Sequence, residues 1–164
     1  MDDDSITAEI VDAALAVHRR VGPGLLEVVY EAILARLLTA RGLVVERQRA
    51  FAFAFEGLEF PNAFRVDLLV GGRIVVELKS ANRMLPIHTK QLLTYLRLLE
   101  LPVGLLLNFG GETMKAGVRR VVNNYRPPSS LALGDSAAPR PSRLRVVGSP
   151  SPESNPVGGE LERA

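Results

Sequence analysis

The chain has 164 residues, of which 47% are hydrophobic and 23% charged, and its formal net charge is +2. This length and composition are typical of one globular domain with a sizeable core, not of a disordered chain. The absence of cysteine excludes disulfides, thiolate zinc sites and cysteine nucleophiles, and a total of two histidines excludes a site built from several imidazoles.

Two helices are predicted at the start of the chain. Apolar residues recur every three or four positions over residues 6–21, which predicts a first helix with Ser5 as its N-cap. The break Gly22-Pro23-Gly24 ends this helix. A second helix is predicted from Leu25 to Arg41, with Gly42 directly after its end.

The second helix carries an acid at the margin of its apolar face. Projected at about 100° per residue, Glu27 falls at this margin and Glu31 lies further toward solvent. The helix dipole favours an acid in the first turn by ~0.3–1 kcal/mol, but a carboxylate among leucines needs a partner. We therefore expect Glu27 to face the sheet, with Tyr30 hydrogen-bonded to its carboxylate or packed beneath it. The predicted apolar arc is Leu26, Val29, Tyr30, Ile33, Leu34, Leu37 and Leu38.

The middle of the chain alternates in hydrophobicity and is rich in Val and Phe. LVVERQRAFAFAFEGLEF predicts two strands, and FRVDLLV and RIVVELKS, on either side of Gly71-Gly72, predict a hairpin. Pro86 fits the first turn of a helix that runs to about Glu100. VGLLLNF predicts a strand buried on both faces, and GVRRVV a last strand. The order ααββββαββ predicts a mixed α/β fold with a central sheet flanked by helices.

The composition changes sharply after Tyr125. Residues 127–164 contain 7 Pro, 7 Ser and 4 Gly and no aromatic residue. Such a segment buries too little apolar surface to offset the entropy of ordering. We expect a folded domain over residues 1–125 and a disordered Pro/Ser/Gly-rich tail over residues 126–164.

Charged residues interrupt the predicted hairpin. Asp67 lies within its first strand, and Glu77 and Lys79 project from one face of its second strand, while Val76 and Leu78 face the core. Two carboxylates beside an ammonium suit a divalent metal ion and a phosphate. The alternative is an edge hairpin whose charges face solvent.

The register of this hairpin discriminates between the two interpretations. A two-residue turn at Gly71-Gly72 would set Asp67 opposite Val76 and point it away from Glu77, because a one-residue slip changes the face. A metal site therefore requires an odd loop or a bulge that sets Asp67 opposite Glu77.

Three polar residues share one face of the helix that starts at Pro86. His88, Gln91 and Tyr95 are spaced i, i+3 and i+7. Gln91 and Tyr95 suit either a site or ordinary core hydrogen bonding, and His88 suits the helix start or a supporting role near a site. Arg65 shares a strand face with Asp67 and suits either a phosphate or the balance of the acidic cluster.

Three motifs resemble known families. Asp67, Glu77 and Lys79 resemble the pattern of the PD-(D/E)XK nuclease superfamily, with Val66 where the pattern has proline. Gln91-x-x-x-Tyr95 is similar to the QxxxY element of its exonuclease-like branch.

The third motif lies in the second helix. Gly24-x-x-Glu27-x-x-Tyr30 resembles the signature that names the GxxExxY protein family, small relatives of these nucleases. The likeness covers about residues 5–125 and implies a restriction-endonuclease-like core.

The resemblance also implies roles for the site residues. Asp67 and Glu77 would ligate Mg²⁺ or Mn²⁺, with the Leu78 carbonyl as a third ligand. Lys79 would be the catalytic lysine, and Glu27 would complete or support the metal site. The other expected residues would hold the phosphate or support the ion from further out: Tyr30, Arg65, His88, Gln91 and Tyr95.

The implied function is a nuclease that hydrolyses phosphodiester bonds of DNA or RNA with a metal-activated water. The alternative is a non-catalytic module that keeps the fold and binds nucleic acid or protein. Nucleic acid is the expected partner, and a homodimer is a further option. No apolar run approaches the ~18 residues that cross a bilayer, and the acidic start MDDDSITAEI lacks the apolar core of a secretory signal, so we expect a cytoplasmic protein.

Overall fold

The computed structural model describes residues 1–123. The predicted tail and the predicted domain end at residue 125 lie outside these residues. In chain order the elements are α1 (Asp3–Val21), α2 (Glu27–Ala40), β1 (Val45–Phe55), β2 (Leu58–Val70), β3 (Ile74–Lys79), α3 (Pro86–Leu98), β4 (Val103–Asn108), α4 (Met114–Gly117) and β5 (Val118–Val122).

One sheet with the order β1-β2-β3-β4-β5 forms the centre of the fold. Strands β3 and β4 are parallel, and the other neighbouring pairs are antiparallel. Helices α1 and α2 cover one face, where they bury alternate residues of β3 such as Val76 and Leu78. Helix α3 covers the other face, where Leu92 and Leu96 pack on Val75. The predicted mixed α/β class is therefore confirmed, and β4 is buried along its whole length.

The helix ends agree only in part with the sequence prediction. Ser5 is not the N-cap of α1, because the Asp2 carboxylate accepts the Ser5 N–H at 2.7 Å and starts the helix at Asp3. Gly22, with a φ of 75°, ends α1 as predicted, and Gly42, with a φ of 83°, follows α2. Both conformations favour glycine because they lie in the left-handed region.

The region before β3 contains two strands where three were expected. LEF and FRVDLLV form the single strand β2. The register between β1 and β2 shifts between Phe51↔Phe64 and Phe53↔Phe60, so β2 has extra residues at this point. Pro61 lies in this irregular segment, where its missing N–H costs no ladder hydrogen bond. The short helix α4 was not predicted.

The buried face of α2 differs from the predicted arc. Leu26 is 72% exposed and Val29 is 37% exposed, whereas Glu31 is only 3% exposed. The prediction that Glu31 faces solvent is wrong because strand β1 supplies polar partners that the sequence of α2 alone does not reveal. Within residues 1–123, no helix combines the length and the apolar character that crossing a membrane requires.

Candidate active site

A three-residue loop joins β2 to β3. Val70 pairs with Ile74, so the loop consists of Gly71, Gly72 and Arg73. The two glycines have φ values of 61° and 68°, which other residues rarely adopt. This odd loop length is the one that a metal site at this hairpin requires.

Extended by one residue, this register sets Asp67 opposite Glu77. Regular pairing of β2 with β3 stops at Leu68↔Val76. Beyond that point the Asp67 carboxylate accepts the Leu78 N–H at 2.8 Å. The side chain therefore takes the place of a backbone partner and is held against β3.

Glu77 is a buried carboxylate that lacks a full set of partners. Its relative exposure is 4%, and its Oε1 has no hydrogen-bond partner. Its Oε2 lies 3.7 Å from Lys79 Nζ, which itself donates to the Leu78 carbonyl at 2.9 Å. A buried polar atom without a partner is costly, and a bound cation would offset this cost.

The electrostatics of the pair point in the same direction. Burial, and after it the nearby Asp67 carboxylate, raises the pKa of Glu77 to about 8. Burial also raises the pKa of Asp67, although the Leu78 N–H and the Lys79 ammonium act against the shift. A cation would favour the ionised form of both groups.

Glu27 reaches the end of β3 from the other side of the sheet. Its Oε1 accepts the Ser80 N–H at 3.1 Å, while the Ser80 hydroxyl donates to the Leu25 carbonyl at 2.7 Å. The predicted orientation of Glu27 toward the sheet is confirmed. Its side chain reaches the residue directly after Lys79, and the Glu27 residue remains exposed to solvent.

Tyr30 fixes the turn that precedes Glu27. Its hydroxyl donates to the Gly22 carbonyl at 2.6 Å and accepts the Leu25 N–H at 3.1 Å. Its ring stacks on Phe109 with centroids 4.4 Å apart. The hydroxyl therefore holds the turn between α1 and α2 and does not bond to the Glu27 carboxylate, which corrects the predicted hydrogen bond.

A polar group next to Asp67 escaped the sequence analysis. The Gln48 amide donates to Glu31 Oε2 at 2.5 Å and to Asp67 Oδ1 at 3.2 Å, and Arg47 Nε donates to Glu31 Oε1 at 2.8 Å. Gln48 has a φ of 49°, which is rare for a residue other than glycine and frequent near functional sites. The i, i+4 spacing of Glu27 and Glu31 was the available signal, because it puts both acids on one helix side.

Asn108 is a second residue that the sequence analysis missed. It is 4% exposed, and its side chain bonds both the N–H and the carbonyl of Ala81, at 3.0 and 2.8 Å. Gly110 approaches Ala81 so closely that a Cβ there would overlap its backbone. These contacts fix the loop that follows Lys79. An asparagine at the end of an otherwise apolar strand was the available signal.

The polar stripe on α3 lies on the same sheet side as Glu77. The Gln91 amide donates to the Tyr95 hydroxyl at 2.7 Å, and the Tyr95 ring stacks on Phe64. His88 Nδ1 accepts the Leu85 N–H at 3.3 Å, so it caps the helix start, one of its two predicted roles. Arg65 is exposed and makes no hydrogen bond or ion pair within residues 1–123.

The donor set fits a hard divalent ion only in part. Across residues 1–123, no three acidic or histidine side chains are grouped so that they could hold an ion together. Glu27 bonds to Ser80, and the Leu78 carbonyl bonds to Lys79. Asp67 and Glu77 remain as a pair, which fits Mg²⁺ because this ion commonly binds one or two carboxylates and keeps several waters.

The comparisons with known proteins identify one family. The family model described as the PD-(D/E)XK nuclease superfamily matches residues 4–121. The comparison with curated proteins and that with solved structures found no match.

Proposed function

Because the chain belongs to the PD-(D/E)XK nuclease superfamily, we propose that it is a Mg²⁺- or Mn²⁺-dependent nuclease that hydrolyses phosphodiester bonds of DNA or RNA. The observation that carries this proposal is the buried Oε1 of Glu77, which has no partner and lies beside Asp67 and Lys79. A divalent ion supplies water activation and charge neutralisation at such a site.

The residues of the chain divide the remaining work. Asp67 and Glu77 hold the ion, and Asp67 is itself fixed by the Leu78 N–H. Lys79 lies 3.7 Å from Glu77, where its ammonium offsets charge on the phosphate. Glu27 supports the end of β3 through Ser80 and stands at the open side of the site.

Polar residues on α3 and β2 are proposed to contact the substrate further out. Gln91 and Tyr95 form a hydrogen-bonded pair suited to a phosphate, and Arg65 extends toward solvent without a partner among residues 1–123. His88 and Tyr30 contribute through the elements that they fix.

A cleavage assay tests the activity. Labelled single-stranded and duplex DNA and RNA are incubated with Mg²⁺, Mn²⁺ or EDTA, and we expect products only with the metal ions. Asp67→Asn and Lys79→Ala should each lower the rate by a factor on the order of 10²–10⁴. Asp12→Asn is the matched control, since Asp12 lies on the surface of α1, away from the site, and pairs there with Arg41 at the end of α2. Equal rates for all four proteins would exclude this site as the source of cleavage.

Metal binding gives a readout that is independent of activity. Mg²⁺ at ten times its Kd should stabilise the wild-type protein by about 1.4 kcal/mol. Glu77→Gln should abolish this stabilisation, which differential scanning fluorimetry at pH 8 measures. An unchanged Mg²⁺ response in Glu77→Gln would remove Glu77 from the ion site.

A non-catalytic module is the second candidate. The observation that favours it is the internal pairing of Glu27 and of the Leu78 carbonyl, which leaves two carboxylates for an ion. This candidate predicts salt-dependent binding of nucleic acid that survives Glu77→Ala, with no cleavage product from the wild-type protein.

The finer family assignment belongs to the same proposal. The motif Gly24-x-x-Glu27-x-x-Tyr30 supports a place in the GxxExxY group, because Tyr30 fixes both ends of the turn before α2 and Glu27 accepts the Ser80 N–H directly after β3. A homodimer and a cytoplasmic location stay predictions of the sequence.

A further inference from the structure

A cavity lies beside the candidate active site. It has a volume of about 480 Å³ and is bounded by the loop after β3, the loop after β4, α4 and β5. It therefore lies near the carboxyl ends of the parallel strands β3 and β4, the place where open α/β sheets commonly bind ligands. Its polar lining includes Asn82, Arg83, Asn108, Glu112, Thr113 and Arg119.

Two arginines dominate the charge of this cavity. Arg119 Nη1 donates to the Thr89 hydroxyl at 3.1 Å, which fixes the guanidinium and leaves other N–H groups for a ligand. Arg83 is exposed and has no hydrogen bond or ion pair within residues 1–123. Glu112 is the acidic residue of the lining, so the two arginines outnumber it. A planar guanidinium matches the oxygens of a phosphate better than those of any neutral ligand.

The register of the sheet links this cavity to Glu77. Glu77 pairs with Leu106, and Leu106 pairs with Arg119. All three residues lie in one row on the α3 side of the sheet. Two strand spacings separate Glu77 from Arg119, which is roughly 9.5 Å. A nucleic-acid strand advances about 3.4 Å per nucleotide, so this separation corresponds to about three nucleotides of one strand.

We propose that Arg83 and Arg119 form a second phosphate subsite that holds the backbone of a nucleic-acid strand next to the Glu77 site. This inference rests on the proposed nucleic-acid function and adds the direction in which the strand leaves the site, toward β5. Asn82 and Thr113 supply neutral donors for the same phosphate.

The neighbouring arginines offer a matched control. Arg120 follows Arg119 in β5 but pairs with Asp4 at 2.6 Å, and Arg73 pairs with Asp3 at 2.6 Å. The double variant Arg73→Gln/Arg120→Gln therefore removes the same charge as Arg83→Gln/Arg119→Gln, away from the cavity.

The experiment measures oligonucleotide binding by fluorescence anisotropy in EDTA over a series of KCl concentrations. Arg83→Gln/Arg119→Gln should weaken binding and lower the slope of log K against log salt by about one. The control double variant should keep the wild-type slope. Equal effects of the two double variants would overturn the subsite, because they would reflect net charge alone.

A second arm separates a strand from a free anion. If inorganic phosphate raises the melting temperature of the wild-type protein while no oligonucleotide binds, the assignment to a nucleic-acid strand is overturned. Loss of oligonucleotide binding in Arg83→Gln/Arg119→Gln supports the subsite even if the wild-type protein cleaves nothing. In that case only the proposal of nuclease activity is contradicted. If Arg83→Gln/Arg119→Gln binds and cleaves nucleic acid at wild-type levels, the subsite is overturned and the nuclease activity is not.

Discussion

Glu31 and Glu77 are both buried, yet their surroundings differ. Their relative exposures are 3% and 4%. Both Glu31 oxygens accept hydrogen bonds, from Arg47 and Gln48. Glu77 has one oxygen without a partner, one ammonium at 3.7 Å and a second carboxylate nearby.

This difference separates a carboxylate whose partners lie within the fold from one whose partners are incomplete. A buried carboxylate with a cation and hydrogen bonds is compensated within the fold. Glu77 lies beside a second acid and one of its oxygens has no partner, so the metal-free protein neutralises it by binding a proton. Removing a hydrogen-bond partner of Glu31 should therefore destabilise the protein, whereas neutralising Glu77 should stabilise the metal-free protein.

The largest effect is expected at the Glu31 group. Arg47→Leu leaves a carboxylate that is 3% exposed without its cation. Breaking a fully buried pair costs about 3–5 kcal/mol, and the Arg47 side chain is 43% exposed, so we expect a loss of about 2–3 kcal/mol. Urea denaturation at pH 7 measures it. Arg49→Leu, which removes the cation of a pair whose carboxylate, Glu46, is 39% exposed, is the control and should cost at most about 1 kcal/mol. Equal losses would mean that burial of Glu31 does not set the effect.

The effect at Glu77 should have the opposite sign. The pKa of Glu77 is raised from 4.5 to about 8, so the folded protein holds a proton there that the unfolded chain releases. Stability of the metal-free protein should therefore fall as the pH rises from about 4.5 to about 8. Glu77→Gln removes this dependence and should stabilise the protein at pH 8 by an amount on the order of 2 kcal/mol. Thermal unfolding in EDTA between pH 5 and 8.5 measures it, and a variant less stable than wild type at pH 8 would contradict the comparison.

The sequence predicted the sheet face of Glu77 correctly and the exposure of Glu31 wrongly. Glu77 could be recognised because strand periodicity fixes which residues share a face, and charges on a buried strand stand out. The odd register with Asp67 could be stated as a requirement, although the three-residue loop itself could not be deduced from Gly71-Gly72. Glu31 could not be placed, because its burial depends on partners in β1 that only the packing of α2 on the sheet brings near.

The smaller errors have the same physical origin. Ser5 and Asp2 are equally good caps by residue type, and the choice depends on where the helix begins. The strand β2 passes through Pro61, which local rules treat as a break, because the irregular pairing with β1 tolerates a residue without an N–H. The Gln48 backbone conformation, with φ at 49°, leaves no mark in the sequence.

Gln48 is the residue that joins the two groups, and its removal should have the smallest effect on stability. Its amide donates to both Glu31 and Asp67, but the residue is exposed, so Gln48→Ala should cost about 1 kcal/mol. The same change should weaken Mg²⁺ binding about threefold to tenfold, because a supporting hydrogen bond to a proposed ligand is lost. Urea denaturation and isothermal titration calorimetry measure the two effects.

Gln48→Gly separates the side chain of this residue from its backbone. Glycine also loses the amide but adopts a φ of 49° without strain, so it should be more stable than the alanine variant by about 1 kcal/mol. Its Mg²⁺ affinity should match that of the alanine variant, because the loss at Asp67 is the same. If both variants bind Mg²⁺ as the wild-type protein does, the Glu31 group and the proposed ion site are independent, and the Gln48 amide, which bridges Glu31 and Asp67, serves the fold alone.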